Sequence, residues 1–195
     1  MNATGCSSAT VSNFFKHFRQ LITSSLEETD QIIGGDGIDV QIDETKLGKR
    51  KYHRGHRVDG VWILAGVEKT PARKIFLAKV NDRSAETLLS VIDKYVAPGS
   101  RITTDMFKSY SQLSSRLGFE HLTVNHSQTF KNPFTGANTN AIEGNNNALK
   151  IMIKPRNRTK EIEPFLAEFI WRRKNNEKLW DAFIEALKEI HYDLE

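Results

Sequence analysis

"IDVQIDETKL", residues 38–47, is the stretch on which the reading of the fold turns. Ile38, Val40 and Ile42 fall on one side, and Asp39, Gln41 and Asp43 on the other. A period of two over this length predicts a half-buried strand, with Asp43 near its end. Downstream, "GVWILAGVEK" (60–69) is almost continuously apolar, as a central strand is. "TPARK" supplies a turn, and "KIFLAKV" (74–80) supplies a third strand, which closes an antiparallel meander.

The rest of the chain extends that sheet. "NDRSAETLLSVIDKYVAPGS" (81–100) has Ser84 as a helix cap, an apolar stripe of Leu88, Leu89, Ile92 and Val96, and a Pro98–Gly99 stop. "RITTDMF" (101–107) predicts a short strand with Asp105 at its C-terminal end. "KSYSQLSSRLG" (108–118) predicts a helix stopped by Gly118, and "FEHLTVNH" (119–126) a fifth strand. After a polar loop, "TNAIEGNNNALKIMIKPRNRTK" (139–160) predicts a helix limited by Pro155, and two amphipathic helices follow. The order β-β-β-α-β-α-β-α-α-α is that of an α/β RNase H-like fold, a mixed five-stranded sheet flanked by helices.

Upstream, Val11, Phe14, Phe15, Phe18, Leu21 and Ile22 repeat at helical spacing, so 7–26 predicts a helix, either a packing helix or the remnant of a helix-turn-helix. The expected organisation is an N-terminal helical segment over 1–34, a catalytic domain over 35–160, and C-terminal helices over 161–195 that pack on it.

Composition narrows the function classes. The chain has 195 residues, 38% of them hydrophobic, which suits a folded domain with a real core. No apolar run approaches the roughly 18 residues of a membrane span, and the N-terminus lacks the pattern of a signal peptide. An intracellular protein is expected, in the nucleus of a eukaryote or the cytoplasm of a bacterium. The single cysteine, Cys6, excludes an intramolecular disulfide and a cysteine-based zinc cluster. The net charge of +4 is unevenly spread. "KLGKRKYHRGHR" (46–57) holds six Lys/Arg and no acid, and "KIMIKPRNRTK" (150–160) holds five and no acid. Two such clusters suit contact with a phosphate backbone, as well as plain solvated surfaces.

The acids carry the chemistry. In the expected topology the first strand lies at the sheet centre with the fourth beside it, so Asp43 and Asp105 are neighbours, and Glu143 on the following helix reaches the same edge. Three converging carboxylates repel unless a cation neutralises them. Hard oxygen donors suit Mg²⁺ or Mn²⁺, and a pair of such ions serves in-line phosphodiester attack. Each acid also has a plainer reading. Asp43 is an end-of-strand acid, Asp105 a cap for the next helix, and Glu143 the third position of a capping box headed by Asn140. Lys150 lies seven residues after Glu143, two helical turns on, and so shares its face.

These stretches resemble a known family. "VQIDETKLGKRKYHRGHR", "DRSAETLLSVIDKYVAPGSRITTDMFKSY", "LTVNHSQTFKNPFTGANTNAIEG" and "EFIWRR" are similar, in order and at natural spacing, to Merlin-type DDE transposases and related bacterial insertion-sequence transposases. The resemblance implies metal-dependent cleavage and strand transfer of transposon DNA. It maps the catalytic, metal-holding acids to Asp43, Asp105 and Glu143, and a downstream basic residue to Lys150. It gives Asn125 and His126 supporting roles, to which Asn140 is added on its position. DNA contacts are expected from Lys49, Arg50, Lys51, Arg54 and Arg57, and from Lys150, Lys154, Arg156 and Arg158. Two Mg²⁺ or Mn²⁺ ions, DNA as substrate and a homo-oligomer complete the expectation. The rival readings are a catalytically decayed or domesticated DNA-binding descendant and a stand-alone nuclease of the same fold. One departure is local: after "IEG" the family usually shows an aromatic residue, and this chain has "NNN" at 145–147.

Overall fold

The sheet is built around the alternating stretch at 38–47. The computed structural model describes residues 5–48, 60–125, 138–159 and 161–189. In chain order its elements are α1 (Ser8–Ser24), β1 (Ile33–Gly34), β2 (Asp39–Leu47), β3 (Val61–Glu68), β4 (Ile75–Val80), α2 (Ala85–Tyr95), β5 (Val96–Ala97), β6 (Arg101–Asp105), α3 (Leu113–Leu117), β7 (Glu120–Val124), α4 (Asn140–Met152), α5 (Glu163–Lys174) and α6 (Leu179–Lys188). They divide into two compact units, one spanning Glu28–Ile162 and one formed by the stretch up to Glu27 together with that from Glu163.

In the larger unit the strand order is β4-β3-β2-β6-β7. Strands β2, β3 and β4 pair antiparallel, whereas β6 runs parallel to both β2 and β7. This is the RNase H-like arrangement, with the first long strand at the centre. The even members of β2 explain the packing: Val40 and Ile42 are fully buried in a core with Leu64, Phe76, Leu88, Leu89, Ile92 and Ile102. The odd members Gln41, Asp43 and Thr45 therefore face the opposite side. Helix α2 forms where Ser84 accepts a hydrogen bond from the Thr87 amide at 3.3 Å, and its apolar stripe covers the core face.

Three local expectations change. The predicted helix over 108–118 resolves into a 3₁₀ turn, Lys108–Tyr110, and the short α3, closed by Gly118 at φ 74°. A small parallel pair, β1 with β5, lies outside the main sheet. Asp43 stands in the middle of β2 rather than near its end. The reason is that β2 has two partners of unequal reach. Its pairing with β6 stops at Gln41↔Thr103, but its pairing with β3 continues to Leu47↔Val61.

The smaller unit is helical. Phe18 of α1 packs between Trp171 of α5, at 5.9 Å between ring centroids, and Phe183 of α6, at 5.4 Å. Glu168, 8% exposed, is neutralised by Arg172 at 2.9 Å and Arg19 at 3.6 Å. Among the described residues no helix is long and apolar enough to cross a membrane.

Gly66 of β3 marks the tightest packing in the sheet. A Cβ there would stand 2.2 Å from the ring of Phe76, which is fully buried and stacked on Tyr95 at 5.3 Å. The ring has no room to withdraw. Gly66→Ala should therefore lower stability by about 1–3 kcal/mol, the usual range for an overpacked core. Urea unfolding followed by tryptophan fluorescence measures this, and a midpoint equal to the parent's would refute the packing argument.

Candidate active site

Where β2 and β6 stop pairing, the sheet opens. Asp43 and Asp105 each lie two residues beyond the last couple, Gln41↔Thr103. The register carried forward sets them opposite one another, and period-two alternation puts both on the same face. Helix α4 covers that face. Asp43, Asp105, Thr139 and Glu143 line one cavity of about 260 Å³. The structure thus brings together the three acids expected from the sequence, from a strand centre, a strand end and a helix.

Each acid is also fastened to its own surroundings. Asp105 Oδ1 accepts the Phe107 amide at 2.9 Å, which heads the turn leading to Lys108–Tyr110. A carboxylate has two oxygens, so this turn leaves the other available. Thr139, 2% exposed, donates its hydroxyl to Glu143 Oε1 at 2.8 Å. Asn146 donates its Nδ2 to Asp43 Oδ2 at 2.9 Å. Orientation of that amide follows from chemistry, since a carbonyl oxygen turned toward the carboxylate would be repelled.

The capping box changes hands. Thr139, not Asn140, is the N-cap of α4, and its side chain bonds Glu143 rather than the backbone. Asn140 is the first helical residue and is exposed. The first-turn amides find another acceptor. Gln41 Oε1 takes the N–H groups of Ala141 and Ile142 at 3.0 and 3.1 Å, while Gln41 Nε2 donates to Asn138 Oδ1 at 3.2 Å. A strand side chain thus satisfies orphan donors that a local cap normally serves.

Gln41, Asn146 and Thr139 were missing from the sequence-based set. Gln41 could have been found by alternation, since it shares the face of Asp43. Asn146 could have been found by helical spacing, since it follows Glu143 by three residues. Of the other expected residues, Asn125 directly follows β7 and is half-buried. Lys150, Lys154 and Arg156 are exposed on and just beyond α4. Arg158 is turned inward: its Nε donates to the Ile153 carbonyl at 2.8 Å and its Nη2 to that of Lys150. It caps the C-terminal carbonyls of α4, a favourable place for a cation. Lys49, Arg50, Lys51, Arg54, Arg57 and His126 lie outside the described residues.

The electrostatics of the cavity are strained. Burial, then the charge of Asp105, raise the pKa of Asp43 to about 6, and Glu143 adds to the rise; the Glu44 backbone and the Asn146 amide pull the other way. On the opposite face of β2, Glu44 is also raised, first by burial and then by Asp105 and Asp43, against the Tyr110 phenol that lowers it. Tyr110, 1% exposed, is pushed well above its ordinary value by burial and by Glu44. Among the described residues its hydroxyl completes no well-aligned hydrogen bond.

An all-carboxylate donor set suits a hard divalent cation, and mutual repulsion of the acids is what such a cation relieves. Among the described residues no three His, Cys, Asp or Glu already stand in ligand geometry around one point. The acids surround the cavity without closing on it.

A stability signature follows from the raised Asp43. Its folded pKa, about 6, exceeds the ordinary 3.8, so the folded state holds the proton more tightly than the unfolded state. The metal-free protein should then lose stability as pH rises from 4 through 6, by about 3 kcal/mol for the whole shift. Asp43→Asn should melt higher than the parent at pH 8 in EDTA, and the two should converge toward pH 4. Thermal melts across this range test it; a pH-independent difference would show that ionised Asp43 carries no such penalty.

Comparison with known proteins gives this geometry a context. A search of curated proteins returns no match. Among solved structures, the catalytic core domain of BIV integrase aligns with a TM-score of 0.47 and 13% identity, over 77% of this chain and 95% of that one. The profile of the ISXO2-like transposase domain matches residues 31–174, a stretch that contains Asp43, Asp105, Glu143 and the helix α4 that bears Glu143. The chain belongs to the ISXO2-like transposase domain family.

Proposed function

We propose that this protein is a DDE-class DNA transposase that cleaves DNA at the ends of a mobile element and joins the freed 3′-hydroxyl to target DNA, in the manner of Merlin-type and related insertion-sequence elements. The observation that carries the reading is the convergence of Asp43, Asp105 and Glu143 on one cavity, inside a stretch that belongs to a transposase family.

Asp43, Asp105 and Glu143 would hold two Mg²⁺ or Mn²⁺ ions. Such ions, when bound, supply a lowered pKa for the attacking hydroxyl and charge neutralisation at the scissile phosphate. The residues of the chain do the rest. Asp43 and Asp105 offer oxygens from adjacent strands, and Glu143 offers one from α4 above them. Lys150 and Lys154, exposed at the C-terminal half of α4 and just beyond it, hold backbone phosphate beside the cavity, with Arg156 on the turn that follows. Arg158 shapes that turn by capping α4. The basic stretch that includes Lys49, Arg50, Lys51, Arg54 and Arg57 adds further phosphate contacts. Asn125 supports the strand end next to the site, His126 follows it, and Asn140 opens α4 at the cavity rim. The protein works on DNA as a homo-oligomer.

A strand-transfer assay tests the chemistry: protein, a pre-cleaved DNA end from the flanks of its own gene, a plasmid target and Mn²⁺, beside Asp43→Ala and Asp105→Asn. Joined product should form with the parent and vanish with both variants, while DNA affinity stays within a few-fold. Product that persists in both variants would remove the metal-site assignment. Cleavage without joining would favour a nuclease, and salt-sensitive binding with no reaction would favour a DNA-binding descendant.

The phosphate contact is testable separately. Replacing Lys150 by Ala should weaken DNA binding about equally across sequences and reduce the slope of log K against log salt by about 1. Fluorescence anisotropy between low and moderate salt reads both, and an unchanged slope would take Lys150 off the DNA.

A further inference from the structure

The contacts between α4 and β2 carry a conclusion beyond the three acids. Gln41, 1% exposed, lies two residues before Asp43 on the same strand face. One side-chain amide makes three hydrogen bonds there, two of them to the first-turn N–H groups of α4 at Ala141 and Ile142. Asn146, 4% exposed, reaches back from the same helix to Asp43 itself. Glu143 sits between these two attachments along α4. The helix that bears Glu143 is therefore fastened to the strand that bears Asp43 on both sides of Glu143, by neutral amides that add no charge to a cavity already crowded with it.

The Asn146 contact is directional. Its Nδ2 occupies Asp43 Oδ2, while its own buried Oδ1 has no hydrogen-bond partner among the described residues. A buried acceptor left empty is unfavourable, so the bond to Asp43 is made at a cost to Asn146. Its effect on Asp43 is plain: one carboxylate oxygen is held against α4, which restricts the orientation of the carboxylate. Gln41 acts on Glu143 in the same indirect way, by fixing the first turn of its helix.

We propose that Gln41 and Asn146 are positioning residues of the acid site: Asn146 sets the orientation of the Asp43 carboxylate, and Gln41 sets the height of Glu143 over the sheet, so that together they determine how tightly the three acids close on divalent cations. This rests on the metal-dependent transposase reading above, and deepens it. Neither residue is required to touch substrate.

The test uses the full chain and Mn²⁺ alone, with bound ion counted by electron paramagnetic resonance, followed by cleavage rate against Mn²⁺ concentration. The parent and Asp43→Ala decide the underlying reading. Mn²⁺ bound equally by both would sink the acid site as a cation site, and the positioning role with it. Given Asp43-dependent binding, Asn146→Leu and Gln41→Leu should each raise the half-saturating Mn²⁺ concentration about tenfold or more, with DNA affinity measured without metal unchanged. Asn146→Ser, shorter but still a donor, provides a second variant should Asn146→Leu fail to fold. Variants that melt lower yet bind Mn²⁺ like the parent would show a purely structural role and overturn the proposal. Mn²⁺ binding that behaves as expected in a parent that cleaves nothing would leave positioning intact and defeat only the transposase reading.

Discussion

The register between β2 and β6 is the constraint from which the site follows. Because the pairing is parallel and runs Asp39↔Arg101, Val40↔Ile102, Gln41↔Thr103, the next same-face residues on the two strands are Asp43 and Asp105. A slip of one residue would send one of them to the apolar side. The register is held twice at its start. The Arg101 guanidinium engages Asp39 through two of its nitrogens, and the Arg101 amide bonds the Ile38 carbonyl at 2.9 Å. The buried run of Val40, Ile42 and Ile102 enforces the same alignment by packing. An ion pair at one end of a short ladder thus fixes the spacing of two acids at the other.

Bringing carboxylates together on a half-buried face is unfavourable in the absence of a cation, and the structure manages this in two ways. Neutral donors are placed against the acids: the Asn146 amide on Asp43, the Thr139 hydroxyl on Glu143 and the Phe107 amide on Asp105. The acids are also kept from closing on one another, so each retains its own partner. Were a divalent cation bound between them, these oxygens would hold it, and relief of their mutual repulsion would favour binding. Of these donors, the Asn146 amide bridges α4 and β2, whereas the Thr139 and Phe107 groups act within their own segments.

Much of this was legible in the sequence, and the exceptions share a cause. Strand alternation at 38–47, the apolar run at 61–68 and the cap at Ser84 each predicted their elements, because each depends on neighbours in sequence. The topology followed from their order. The extent of β2 past Asp43 was not legible, since it depends on β3 continuing to pair after β6 has stopped. The capping of α4 was misassigned for the same reason. Asn140 and Glu143 fit a local box, but the real acceptor is Gln41, a hundred residues away in the chain. Arg158 read as one more cation in a basic run, and only the path of the turn after α4 shows its guanidinium engaged with carbonyls. At the first turn of α4 a tertiary partner, Gln41, outcompeted the local one.

The segment "NNN" at 145–147 lies on α4, just after Glu143 and Gly144. Asn147 is exposed, and its neighbours are not: Asn145 and Asn146 are 3% and 4% exposed. Among the described residues, both Asn145 side-chain polar atoms and Asn146 Oδ1 are buried without a hydrogen-bond partner. Each such group typically costs about 1–3 kcal/mol, so an apolar side chain at 145 would make a more stable helix-sheet contact. Amides at these positions give up stability at the contact between α4 and the sheet. Departures from the most stable choice concentrate where a site demands a particular arrangement rather than the tightest packing. The Asn146 bond to Asp43 supplies such a demand at one of the two positions.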